Sequence, residues 1–213
     1  MTETLAILSD IHAHAAALER ALRVLARRDI SRVVCAGDLV GYGGEPGRVL
    51  ALMREHRIPC VRGNHDRWTL HDLLDGPEDD ATRAYLASLP PELELELAGQ
   101  RVVVTHGAPG SDMRWVNPAE LSGQEIAGFL AQARTRVLVV GHTHRPALIE
   151  VVGRGHIVNP GATLGRLQDP DEGWPAPRDD GTLGLLTLSP LTFEVLDLDG
   201  NPVPVPTIRV IPG

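Results

Sequence analysis

Five short stretches of this chain end an apolar run in residues that bind metal or move protons. They are LAILSDIH (5–12), VVCAGD (33–38), CVRGNHD (60–66), VVVTHG (102–107) and VLVVGHTH (137–144). The side chains delivered are Asp10 and His12, Asp38, Asn64 and His65, His106, then His142 and His144. Carboxylate oxygen and imidazole nitrogen suit divalent Mn, Fe, Zn, Co or Ni. No cysteine is among these donors, which argues against a thiolate zinc site. With His65 set aside, seven candidate ligands exceed what one tetrahedral ion accepts, whereas two ions sharing one carboxylate would use them all. Glycines at 37, 63, 107 and 141 flank the donors and let the backbone turn sharply near a charged site. A single D-x-H or G-D means little alone. The conjunction of five fragments, each closing an apolar run, carries the argument.

Something must hold those fragments at one rim. LAILSD reads as a strand, and Leu18, Leu22 and Leu25 recur at helical spacing over 17–28. A second strand over 31–38, a helix over 44–56 with Pro46 near its start, and a third strand over 58–66 complete a βαβαβ pattern. Residues 68–90 read as helical with a break at DGPEDD (75–80). ELELEL (92–97) alternates as a half-buried strand and returns through AGQ as RVVVTH, a hairpin. A helix over 118–133 leads to VLVV, and 147–161 reads as a strand pair about a glycine turn. In such sheets, ligand sites form at the carboxyl ends of strands. A Pro-, Asp- and Gly-rich stretch, 165–181, reads as a long surface loop. The end of the chain reads as strands about a DG turn, and prolines at 202, 204 and 206 put the last one at an edge, giving a C-terminal edge hairpin over 191–213. No repeat or linker divides the chain, so it reads as one α/β domain over 1–213 with more than one sheet.

Composition narrows the class of partner. Apolar content of 43% fits a packed core, and with aromatics at 3% that core is aliphatic. Net charge is −8, and all twenty basic residues are arginine. An acidic chain is unsuited to coating nucleic acid, which requires many cations, yet a local positive site can still take a small phosphate. No apolar run approaches the roughly 20 residues of a membrane span. MTETLAILSD lacks the basic start of a signal peptide, and Cys35 and Cys60 lie within apolar runs as reduced, buried residues. The expected location is the cytoplasm.

The order DxH, GD, GNHD, H, GHTH resembles the calcineurin-like metallophosphoesterases, and more closely their small bacterial phosphodiesterase-type members. The likeness spans residues 5 to about 164 and includes VNPGAT (158–163). It implies a four-layer α-β-β-α sandwich, two mixed sheets packed face to face with helices outside. Carried over position by position, it implies two divalent ions, manganese first among Mn, Fe, Zn, Co and Ni. Asp10, His12 and His144 would hold one, Asn64, His106 and His142 the other, and Asp38 both. Small bacterial members often read DIHGN where this chain has DIHAH. His14 therefore either touches substrate or caps the following helix.

The activity implied is hydrolysis of a phosphodiester, with phosphomonoesters and nucleotides as further substrates. Two ions bring +4 and two carboxylates return −2, so the site keeps about +2 toward a phosphoryl group. Ions about 3.5–4 Å apart share a hydroxide that attacks phosphorus. His65 is the candidate general acid for the leaving group, with Asp66 orienting its ring. Arg62, Arg67 and Arg145 are candidate phosphate contacts, and Trp68, Trp115 and Tyr42 are candidates to stack a base. The other class of function is a non-catalytic metal-binding scaffold of the same fold that works through protein partners.

Overall fold

The computed structural model describes residues 3–71, 80–165 and 180–213. The chain opens with β1 (Leu5–Leu8), α1 (Ala15–Arg27) and β2 (Val33–Cys35), then α2 (Pro46–Glu55), α3 (Asn64–Leu70) and α4 (Asp80–Ser88). A hairpin of β3 (Glu92–Leu97) and β4 (Gln100–Thr105) leads to α5 (Gly123–Gln132) and β5 (Val137–Val139). The remainder is β6 (Ala147–Val151), β7 (Gly155–Asn159), β8 (Thr182–Leu188), β9 (Leu191–Asp197), β10 (Pro202–Val203) and β11 (Thr207–Val210).

Strand alternation sorts these elements into layers. Ala6 and Leu8 of β1 face a cluster with Leu18 and Leu25 of α1, Leu50 of α2 and Leu86 of α4. Leu5 and Ile7 point the other way, against Val102, Val104, Val137 and Val139. Val103 and Leu138 turn outward again onto Ile126, Phe129 and Leu130 of α5. A period of two in the side chains thus makes three cores between four layers: α1–α4, a sheet of order β10-β9-β8-β1-β2, a sheet of order β11-β6-β7-β5-β4-β3, and α5. Both sheets are mixed: β1 runs parallel to β2 and antiparallel to β8, and β4, β5 and β7 are parallel. The expected sandwich is the one found.

Two expectations are corrected. Residues 58–66 do not form a third strand. They contribute one isolated parallel bridge, Cys35 to Cys60, and α3 already begins at Asn64. The contact with β2 ends after two backbone bonds, Cys35 N to Pro59 O (2.9 Å) and Val61 N to Cys35 O (3.1 Å), because Arg62 N has turned to bond Pro90 O (2.8 Å). Residues 191–213 are not a single edge hairpin either. β9 and β10 form the hairpin, after which the chain crosses at 204–206 and adds β11 to the other sheet, parallel to β6. The edge placement holds for both: β10 ends one sheet and β11 ends the other. The break at 75–80 and the loop at 165–181 lie, apart from their end residues, outside the described residues.

Candidate metal centre

The carboxyl ends of β1, β2, β4 and β5, with the start of α3, meet at one rim where the two sheets adjoin. Backbone bonds lock the fragments together. Asp10 N donates to Gly37 O (3.0 Å), Ile11 N and His12 N to Asp38 O (both 2.9 Å), and Gly141 N to His106 O (2.8 Å). The first and last fragments also join directly, His142 N to Asp10 Oδ2 at 3.1 Å. Five of the predicted ligands have left-handed backbones: Asp10 (φ 53°), His12 (50°), Asp38 (56°), His142 (67°) and His144 (56°). Each such residue carries strain of about 1–3 kcal/mol, which persists only where surrounding structure enforces it. Gly63 and Gly141 permit close approaches: a Cβ would lie 2.0 Å from Asp38 Oδ1 at the first and 2.0 Å from Ser9 Oγ at the second.

Side-chain geometry brings the donors together in overlapping groups. Asp10, His12 and His144 offer ligand atoms all within 4.8 Å of one another, as do Asp38, His106 and His142. His144 Nε2 is 3.2 Å from Asp10 Oδ1 and 3.0 Å from His12 Nε2. Asp38 Oδ2 lies between the groups, 3.3 Å from His106 Nε2 and 3.8 Å from His12 Nε2. His106 Nε2 also meets Asn64 Oδ1 at 3.0 Å. A third combination, His12, Asp38 and His65, is equally close. Carbonyls fix the tautomers, because a carbonyl only accepts. His12 Nδ1 donates to Val40 O (3.2 Å) and His106 Nδ1 to Ala36 O (2.8 Å), which aims each Nε2 inward. His142 donates from Nε2 to Met113 O (3.3 Å), leaving Nδ1.

Most of the centre is buried, with His142 and His144 partly exposed at its mouth. Asp10, His12, Asp38, Asn64 and His106 are buried. Among the described residues Asp10 Oδ1 makes no hydrogen bond and has His144 Nε2 at 3.2 Å, whereas Oδ2 accepts from Ser9 Oγ at 2.6 Å. A buried carboxylate oxygen without a donor is costly, and a cation at that point removes the cost. Burial drives the His12 pKa down to about 3, so it presents a neutral ring. Burial opposes charge on His106 as well, but the Asp38 carboxylate outweighs it and pushes the pKa up to about 10. Burial would raise Asp38 and Asp10, yet His106 and His144 respectively hold them below the usual carboxylate range. The donor set therefore fits divalent metal.

The remaining candidates divide. His65 is buried at the same rim, its ring 4.7 Å from His12, 4.6 Å from Tyr42 and 4.9 Å from Trp68 by centroid. Its Nδ1 has no hydrogen-bond partner among the described residues. Asp66 does not orient that ring. Its two oxygens accept from Gly63 N (2.9 Å), Asp38 N (3.0 Å), Leu39 N (2.8 Å) and Val40 N (3.1 Å), tying the Asp38 loop to the start of α3. His14 caps α1, its Nδ1 accepting from Ala17 N at 3.1 Å. Arg67 forms a two-bond pair with Asp112 (2.6 and 3.1 Å). Arg62 and Arg67 line a cavity of about 460 Å³ beside His106, and Arg145 lines one of about 140 Å³ with Trp115, whose ring is 5.7 Å from His142. Sequence reasoning missed Ser9, and missed Asn159, whose Nδ2 donates to Gly141 O (2.8 Å) and Thr143 Oγ1 (3.1 Å), shaping the GHTH turn. Asn159 lies in VNPGAT, so the signal was present as a resemblance without a role.

Known proteins resemble this chain in sequence and in fold. Phosphodiesterase YfcE of Escherichia coli (strain K12) is 30% identical over 166 residues, 72% of this chain and 76% of that protein. The uncharacterized protein MJ0912 of Methanocaldococcus jannaschii is 31% identical over 157 residues, 67% of this chain and 63% of its own length, so the match spans less than two thirds of that relative. In fold, the hypothetical protein PH1004 from Pyrococcus horikoshii OT3 is similar with a TM-score of 0.77 at 16% identity, covering 93% of this chain and 88% of that one. Residues 4–174 match the family described as calcineurin-like phosphoesterase superfamily domain, a stretch that contains all five fragments. The chain belongs to the calcineurin-like phosphoesterase superfamily, a family of metal-dependent phosphoesterases.

Proposed function

We propose that this chain is a hydrolase that cleaves phosphodiester bonds, and phosphomonoester or nucleotide substrates of the same phosphoryl core, with two divalent ions. The observation that carries the reading is Asp38, within 3.8 Å of an imidazole from each donor group. Asp10, His12 and His144 would hold one ion, Asn64, His106 and His142 the other, with Asp38 shared. Manganese is the ion we assign first, since carboxylate, carboxamide and imidazole donors suit it. Bound there, the ions supply Lewis acidity toward the phosphoryl oxygens and activation of water.

The chain's own residues do the rest. The backbone carbonyls of Ala36 and Val40 keep Nε2 of His106 and His12 facing inward. His65, at the same rim and with Nδ1 uncommitted, donates the proton that the leaving oxygen needs. Arg62, beside His106 in the larger cavity, is the guanidinium we assign to the flank of the substrate. Arg67 is engaged by Asp112 and shapes the same wall. No described helix is long and apolar enough to cross a membrane. The free thiols of Cys35 and Cys60 support a reducing location such as the cytoplasm.

The test is hydrolysis of bis-p-nitrophenyl phosphate by the manganese-loaded protein, with loss of activity on chelation. Full metal loading without hydrolysis of any diester or monoester in a panel would instead point to a scaffold that acts through protein partners.

A further inference from the structure

Strands β4, β5 and β7 are parallel, so the ends opposite the metal centre also share a rim. With about 3.3 Å per residue, the six residues of β4 put that rim roughly 17 Å away. A depression of about 460 Å³ lies there, lined on its charged side by Arg101, Arg134, Arg136 and Arg154. They come from three segments: the start of β4, the α5–β5 connection and the β6–β7 turn. Among the described residues no carboxylate lines the depression, although the chain carries a net charge of −8. Arg101 faces Glu94 at 2.6 Å. Arg134, Arg136 and Arg154 have no ion pair among the described residues.

The convergence is built. Thr135 Oγ1 donates to Arg101 O (2.7 Å) and accepts from Val137 N (3.1 Å), fastening β4 to the start of β5. Gly155, at φ 148°, lies so close to Arg136 that a Cβ would be 2.1 Å from its carbonyl oxygen. His156 N donates to that same oxygen at 2.8 Å. A side chain at 155 would push the β6–β7 turn, and Arg154 with it, off Arg136. Arg134 lies just past the end of α5, where a cation is favoured by the helix dipole, but that accounts for one arginine of four. Ala127, Leu130 and Ala131 of α5 supply an apolar wall.

The geometry points to a second binding site here, separate from the metal centre, for a small phosphorylated ligand of nucleotide size. Guanidinium forks match phosphate oxygens two bonds at a time. The negative end of α5 disfavours anions, so the guanidiniums must do the holding. The volume falls within the roughly 300–1,000 Å³ usual for small-ligand sites, and the wall of α5 offers contact for an uncharged body beside the phosphates. The site does not depend on the chemistry proposed for the metal centre.

The test is calorimetric titration of the full-length protein, stripped of metal and dialysed, with ADP, pyrophosphate, adenosine and a glutamate-rich peptide. ADP and pyrophosphate are expected to bind one to one, and adenosine not to bind. The double variant Arg136→Ala/Arg154→Ala should weaken ADP at least tenfold, while its manganese-loaded form hydrolyses bis-p-nitrophenyl phosphate at the parental rate. Arg154→Gln, a single change on an exposed turn, should give a smaller loss in the same direction and guards against a folding defect in the double variant. Absence of saturable binding by ADP and pyrophosphate, binding that both variants leave unchanged, or binding of the acidic peptide alone would overturn the proposal.

Discussion

Asp38 and His65 are 27 positions apart and joined by one bond, His65 N to Asp38 Oδ1 at 2.9 Å, yet their replacement should separate two kinds of failure. Asp38→Asn removes a charge that faces both donor groups, so metal content and turnover should fall together, as elemental analysis beside a rate assay would show. His65→Ala should leave metal content near the parental value and lower turnover by about 10²–10⁴, the usual worth of a general acid. Retained turnover in His65→Ala would remove the proton donor from the scheme. Asp66→Ala belongs to a third kind. It strands four buried backbone N–H groups, and thermal or urea unfolding should register a loss of at least about 3 kcal/mol. The Asp and His side chains that converge at the rim were legible from residue type at the ends of apolar runs. The role of Asp66 was not, because adjacency to His65 says nothing about where a carboxylate points. Its position as the third residue of α3, accepting from Gly63 N, is a helix-start signal that GNHD already contained.

Among elements, apolar runs as short as VVC (33–35) and VLV (137–139) emerged as strands, and the run at 58–61 did not. A short apolar segment makes a strand only if a neighbour offers a ladder, and here Cys60 finds one bridge before α3 begins. The left-handed backbones at Asp10, His12, Asp38, His142 and His144 were invisible as well, since residue type does not state φ. Gly63 was read as a place of close approach, and the 2.0 Å separation from Asp38 Oδ1 that a Cβ would have gives that reading a number. Gly63→Ala must therefore displace the Asp38 side chain or the start of α3. Turnover is expected to drop at least tenfold with reduced metal occupancy, and a variant with unchanged metal content and rate would show that the loop yields freely.

At the scale of the whole molecule, one sheet supplies Asp10, His12 and Asp38 and the other supplies His106, His142 and His144, so an ion held between them would couple the two. A ligand that binds only the folded form at about 100 times its Kd adds roughly 2.7 kcal/mol of stability. Manganese should accordingly raise the melting temperature of the parent by several degrees and leave Asp38→Asn almost unmoved. An equal rise in both would mean the cation binds elsewhere. The four layers were legible because alternation is a local property of sequence. The crossing of the C-terminal segment between sheets was not, because nothing local tells β11 which edge to join.

That crossing has a consequence for how the molecule keeps to itself. β10 covers the outer edge of β9 at Val195 and Leu196, and β11 covers that of β6 from Leu148 to Val151, with three residues, Pro204 to Pro206, between them. Removing residues 202–213 would bare two rows of unsatisfied backbone N–H and C=O groups at once, one on each sheet. Such a chain would offer two sticky borders on opposite layers, enough to propagate in a line. Its failure should be polymerisation, visible as scattering that grows with protein concentration, before any loss of helical signal.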